Sequence, residues 1–139
     1  MIVLDTNVVS ELMTGAPTAV VESWLRRQPV ARLRTTCITL AEAGIGIARL
    51  PDGRRKDGMA AAAGRVWALF GDRALPFDNA AAEELSDIFV GRLRTGRPLG
   101  LADAQIAAIC RARRATLATR NTKDFEGLGL DVVDPWTAA

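Results

Sequence analysis

The chain opens with Met1-Ile2-Val3-Leu4-Asp5-Thr6-Asn7, and this stretch constrains the fold more than any other. A short apolar run, rich in branched side chains and without polar alternation, reads as a strand buried on both faces, as strands inside a parallel sheet are. Its polar end then lies at the strand's carboxyl end, the edge where open α/β sheets bind ligands. An acid at that place either caps the helix starting at Thr6 or forms the first wall of an acidic site.

The remaining periodicities extend the same pattern. Helices are predicted over 8–13, 18–27, 39–50, 56–70 and 79–94, and another from Gly100, with Gly and Pro closing several of them. Further strands are predicted at 31–36, 74–77, 116–119 and 130–133, and Pro76 suits the third strand to an edge or an end. Strands separated by helices imply an α/β fold: one domain with a central, mostly parallel sheet of four to five strands and helices on both faces. At 139 residues the chain is one domain by length and can bury a sizeable core.

Composition narrows the chemistry. The chain contains no histidine, which removes Ser/His/Asp and Cys/His nucleophiles, histidine bases and histidine–zinc sites. Carboxylates, hydroxyls, Lys and Arg remain, an inventory that suits a hard metal ion held by oxygens. Cys37 and Cys110 stand far apart in helical contexts and read as small buried hydrophobes. A net charge of +2 does not by itself argue for nucleic acid, yet sixteen of the eighteen basic residues are Arg, the side chain best suited to bidentate phosphate contacts. Most of these arginines read as solvated helix faces. No uncharged apolar run approaches the length of a membrane span, and Asp5 stands where a signal peptide would have its basic and apolar regions. The expected location is the cytoplasm.

Four acids fall at comparable places, and each has a plain structural explanation. Asp5 can cap a helix. Glu42 completes a Thr39-Leu40-Ala41-Glu42 capping box. Asp103 sits in a first helical turn, where the macrodipole favours negative charge, although its neighbours are small and apolar. Asp124 lies in the Arg120-Asn121-Thr122-Lys123-Asp124-Phe125 segment and can serve a turn. The joint pattern is harder to explain in that way. In a parallel sheet all four lie at the strands' carboxyl ends, and acids crowded there repel one another unless a cation such as Mg²⁺ or Mn²⁺ neutralises them.

These motifs, Asp5-Thr6-Asn7 after an apolar strand, Glu42 in Ile-Thr-Leu-Ala-Glu, Leu101-Ala102-Asp103-Ala104, and Ala118-Thr119-Arg120-Asn121 with Lys123-Asp124-Phe125, resemble the PIN-domain ribonucleases. More narrowly, the chain resembles the VapC-type toxins of bacterial toxin–antitoxin modules, FitB-like members included, over essentially its whole length. The resemblance implies a metal-dependent (Mg²⁺ or Mn²⁺) endoribonuclease toxin acting on an RNA substrate and neutralised by a cognate antitoxin protein encoded beside it. Asp5, Glu42 and Asp103 match the family's catalytic acids, and Asp124 its more variable fourth acid, so that all four are expected to hold metal. Thr6, Asn7, Thr119 and Asn121 match positions that are usually polar near the metal or the substrate. Homodimerisation is a further expectation from the resemblance. Two alternatives stand beside it: a haloacid-dehalogenase-like phosphatase with Asp5 as nucleophile, for which Asn7 replaces the usual second acid, and a non-catalytic binding module on the same fold.

Overall fold

In the computed structural model, which describes residues 1–138, five strands form one parallel sheet: β1 (Ile2–Leu4), β2 (Leu33–Thr36), β3 (Ala74–Leu75), β4 (Thr116–Ala118) and β5 (Val132–Val133). Their spatial order is β3-β2-β1-β4-β5. Ile2 lies opposite Leu33 on one side and Thr116 on the other, so β1 is the central strand. Six helices connect and cover them: α1 (Thr6–Met13), α2 (Ala19–Arg26), α3 (Cys37–Ala48), α4 (Arg54–Phe70), α5 (Asn79–Arg94) and α6 (Leu101–Ala112).

The apolar opening run behaves as its composition dictates. Val3 points into a core built largely from α5 and α6, with Ile88, Ile106, Ile109 and Leu117. Ile2 and Leu4 point the other way, into a second core with Val8 and Val9 of α1 and Val66 and Phe70 of α4. Both faces of the sheet are therefore covered. Val3 and Leu4 are fully buried, each contributing about 1.5–3 kcal/mol by removal from water.

Local signals fix several element ends. Asp78 caps α5 by accepting from the Ala81 amide at 3.0 Å. At the other end Gly96 adopts φ +71°, and bonds from the Gly96 and Arg97 amides to the Leu93 and Arg92 carbonyls close a Schellman turn. Several element ends differ from expectation: α1 and α4 each start two residues earlier, at Thr6 and Arg54, and β3 and β5 are two residues long rather than four. The residues before Leu33 form a short 3-10 turn rather than strand. Helix α3 starts at Cys37, capped by Thr36, whose hydroxyl accepts from the Thr39 amide at 3.1 Å. Thr39 is thus not the cap, and Glu42 stands in the second turn rather than closing a capping box. The reason is tertiary: β2 ends at Thr36, and the helix begins where the strand releases the chain.

The strand order reverses between β1 and β4, because β2 and β3 lie on one side of β1 while β4 and β5 lie on the other. Crevices at the carboxyl end of such a switch point are where open α/β sheets hold ligands. Asp5 follows β1 there and Thr119 follows β4.

Candidate active site

Asp5 sits at the centre of the switch point and is almost fully buried, at 3% exposure. Its amide donates to the Ala118 carbonyl at 2.9 Å, tying the end of β1 to β4. Its carboxylate caps α1 by accepting from the Thr6 amide at 2.8 Å, so the capping role and the site role coexist. The other oxygen, Oδ2, accepts from the Thr119 hydroxyl at 2.7 Å and from Asn7 Nδ2 at 3.3 Å. Asn7 Nδ2 also reaches Thr119 Oγ1 at 3.1 Å, and Asn7 Oδ1 accepts from the Arg120 amide at 3.2 Å. Asp5 is held in a fixed orientation by hydroxyl, amide and backbone donors from both sides of the switch point.

Glu42 arrives from α3. The Thr6 hydroxyl donates to Glu42 Oε1 at 2.7 Å and lies 3.1 Å from the Thr39 hydroxyl. Thr6 therefore links the two acids: its amide serves Asp5 and its side chain serves Glu42. Behind them runs a buried hydroxyl ladder, with Thr36 next to Thr39 and Thr35 donating to the Leu4 carbonyl at 3.2 Å. Thr35, Thr36 and Thr39 were not expected at the site. Their signal in the sequence is a cluster of threonines inside an otherwise apolar strand–helix junction.

Asp103, in the first turn of α6, and Asp124, in the short 3-10 turn Thr122–Phe125, complete the set. Both act on the other acids through their charges. Burial pushes the Asp103 carboxyl up to about 6, with the charges of Asp5, Glu42 and Asp124 adding to the rise. Asp5 is also raised, by burial first; its bonds from Thr119 and Thr6 oppose the rise, and the charges of Glu42 and Asp124 add to it. Four carboxylates from four separate segments thus lie in one another's field. Among the described residues no three acids are gathered closely enough to hold a metal ion between them as they stand. Asp124 is the exposed member, and Asn121 joins the network through its backbone amide, which donates to Thr119 Oγ1 at 3.1 Å.

The loop bearing Asp124 is held by two arginines that sequence patterns do not single out. Arg92 is buried and donates to the Asp124 carbonyl at 2.6 Å and the Arg97 carbonyl at 2.8 Å. Arg97 donates to the Lys123 carbonyl at 2.9 Å. Three other arginines form ion pairs, Arg26 with Glu22, Arg111 with Glu84 and Arg113 with Asp78. Neither cysteine is in a disulfide; Cys110 is buried, and the half-buried Cys37 accepts from the Phe77 amide.

Known proteins resemble this chain over its whole length. The PIN domain family profile matches residues 2–129. The chain is 39% identical to "VapC ribonuclease Y4jK" of Sinorhizobium fredii, with 100% of each chain covered. It is 34% identical to "Toxin FitB" of Neisseria gonorrhoeae, covering 98% of this chain and 99% of that one. Among solved structures, FitAB bound to an IR36 DNA fragment superposes with a TM-score of 0.90 at 33% identity, covering 100% of this chain and 98% of that one.

Proposed function

Because the chain belongs to the PIN-domain family, and within it to the VapC and FitB toxins of toxin–antitoxin modules, we propose that it is a divalent-metal-dependent endoribonuclease whose site is formed by Asp5, Glu42, Asp103 and Asp124. The proposal is supported by the electrostatics of the switch-point edge, where burial, with the charges of Glu42 and Asp124 adding to it, raises Asp5 and Asp103. Acids so disposed favour a cation between them.

The donor set fits Mg²⁺ or Mn²⁺. It consists only of oxygens, in a chain without histidine, and Mg²⁺ is usually bound by one or two carboxylates with several waters retained, so a group of three converging acids is not needed. Bound there, the ion would supply Lewis-acid stabilisation of phosphoryl charge and acidify the attacking water. The protein's own contribution is positioning. Thr119, Asn7 and Thr6 fix the Asp5 carboxylate, Thr6 steers Glu42, and α6 delivers Asp103. A carboxylate oxygen left free of the ion would take the proton from the attacking water. The phosphatase alternative gains no support, because Asn7 at the position of its second acid spends its amide on Asp5 and Thr119.

The partners of this reading are RNA as substrate and a cognate antitoxin as inhibitor, in the cytoplasm. No helix among the described residues is long and apolar enough to cross a membrane. A homodimer is part of the proposal, supported by the exposed Leu40 and Ile45 on α3 and Leu101 at the start of α6.

The test incubates the purified protein with end-labelled tRNAs and structured RNAs, with Mg²⁺, with Mn²⁺ and with EDTA, beside Asp5→Asn. Metal-dependent cleavage that the variant lacks supports the reading. Absence of both cleavage and Mn²⁺ binding in the wild-type chain would instead favour a binding module.

A further inference from the structure

The acidic site leaves a problem that its own residues do not solve: a polyanionic substrate must approach four carboxylates. A cation beside them would ease that approach, and seven of the sixteen arginines are engaged elsewhere. Arg26, Arg111 and Arg113 pair with acids, while Arg34, Arg73, Arg92 and Arg97 donate to backbone carbonyls.

Arg120 differs from these. It lies between Thr119, which donates to Asp5, and Asn121, whose amide donates to Thr119, and its own amide donates to Asn7 Oδ1 at 3.2 Å. Its backbone is thus part of the network that holds Asp5. Its side chain is exposed, and among the described residues no carboxylate lies within salt-bridge reach of it. The guanidinium carbon stands 5.2 Å from the centre of the Trp136 ring. Trp136 is itself anchored: it packs against the α1/α4 core, and its amide donates to Asp134 Oδ1 at 2.8 Å. A guanidinium lying over a ring uses its face for the aromatic contact and keeps its in-plane N–H donors free at the edge. Those donors match the oxygens of a phosphodiester. An indole held by the core also restricts the arginine before substrate arrives.

We propose that Arg120, held over Trp136, is the residue that anchors a substrate phosphate beside the acidic site, so that RNA crosses the switch point on its β4–β5 side. The inference rests on the ribonuclease reading above and adds the direction from which substrate is held.

The test uses fluorescein-labelled unfractionated tRNA and compares the wild-type chain with Arg120→Ala, Arg120→Lys and Trp136→Leu. Binding is read by anisotropy in EDTA across a salt series, cleavage as KM and kcat with Mn²⁺, and metal affinity by calorimetry. Loss of one phosphate contact is expected to weaken binding about tenfold and to lower the slope of log K against log salt by about 0.7–0.9. KM should rise more than kcat falls in Arg120→Ala, with Mn²⁺ affinity and melting temperature unchanged. Arg120→Lys should recover part of the affinity, and Trp136→Leu should add nothing to Arg120→Ala. Wild-type cleavage with an unaltered KM and salt slope in Arg120→Ala would overturn this inference and leave the ribonuclease reading standing. A parallel loss of Mn²⁺ affinity would overturn it too, by showing that Arg120 acts only on the acids. Failure of the wild-type chain to bind or cleave any RNA would overturn both.

Discussion

Asp103→Asn should make the metal-free protein more stable while abolishing its activity. The Asp103 carboxyl is raised from 3.8 to about 6 by burial and by the charges of Asp5, Glu42 and Asp124. The folded state therefore retains this proton up to about pH 6, whereas the unfolded chain releases it near 3.8. Between those values the folded state binds more protons, so the contribution of Asp103 to stability is present below 3.8 and is lost as pH rises through about 6. A rise of about two pH units sets a ceiling of about 3 kcal/mol. Asp103 is partly open to water, and screening reduces that to about 1–2 kcal/mol. The neutral Asn also gives up the attraction of a carboxylate to the start of α6, about 0.3–1 kcal/mol. The net gain is about 1 kcal/mol above pH 7, or about 3 °C in Tm for a chain of this size. Urea unfolding in EDTA at pH 4, 6 and 8 measures it. The difference between variant and wild type should be small at pH 4, grow through pH 6 and level off by pH 8. Added Mg²⁺ should raise the Tm of the wild type and leave that of the variant nearly unmoved. A variant no more stable than wild type at pH 8, or a difference that does not change with pH, would refute the reasoning.

Other substitutions test the supports of the site. Thr119→Val removes the hydroxyl shared by Asp5, Asn7 and Asn121; it should lower stability by about 1–3 kcal/mol and weaken Mn²⁺ binding, with Thr119→Ser restoring both in calorimetry. Thr36→Ala removes the cap of α3, with an expected loss of about 1 kcal/mol in urea unfolding, whereas Thr39→Ala would be the costlier change if Thr39 were the cap. Arg114 adopts φ +52° just beyond α6, a conformation that glycine takes without strain, so Arg114→Gly should raise stability by about 1 kcal/mol in the same assay.

Much of this fold could be read in the sequence where its cause is local. Ile2-Val3-Leu4 is recognisable because both faces of β1 are buried, and the bounds of α5 follow from the Asp78 cap and the Gly96 turn. Asp5, Glu42, Asp103 and Asp124, the proposed site residues, stand out in the sequence because each lies at a strand end or early in a helix, positions that a parallel topology puts on one edge. What the sequence did not reveal depends on contacts between distant segments. Thr39-Leu40-Ala41-Glu42 satisfies the capping pattern, yet the end of β2 decides that Thr36 caps, and Glu42 is steered from α1 by Thr6. The burial of Arg92 against the Asp124 loop joins residues 32 positions apart. The contact of Arg120 with Trp136 brings a strand end together with the turn after β5, and the tryptophan reads in sequence as ordinary core.

The most direct measurement is the affinity for Mn²⁺, by titration calorimetry, of the wild-type chain and of Asp5→Asn, Glu42→Gln and Asp103→Asn, each checked for native melting. One shared carboxylate site requires that every one of these variants lose affinity, by at least about tenfold. Retention of wild-type affinity in any one of the three, with the fold intact, would contradict a metal site shared by these carboxylates at the switch point.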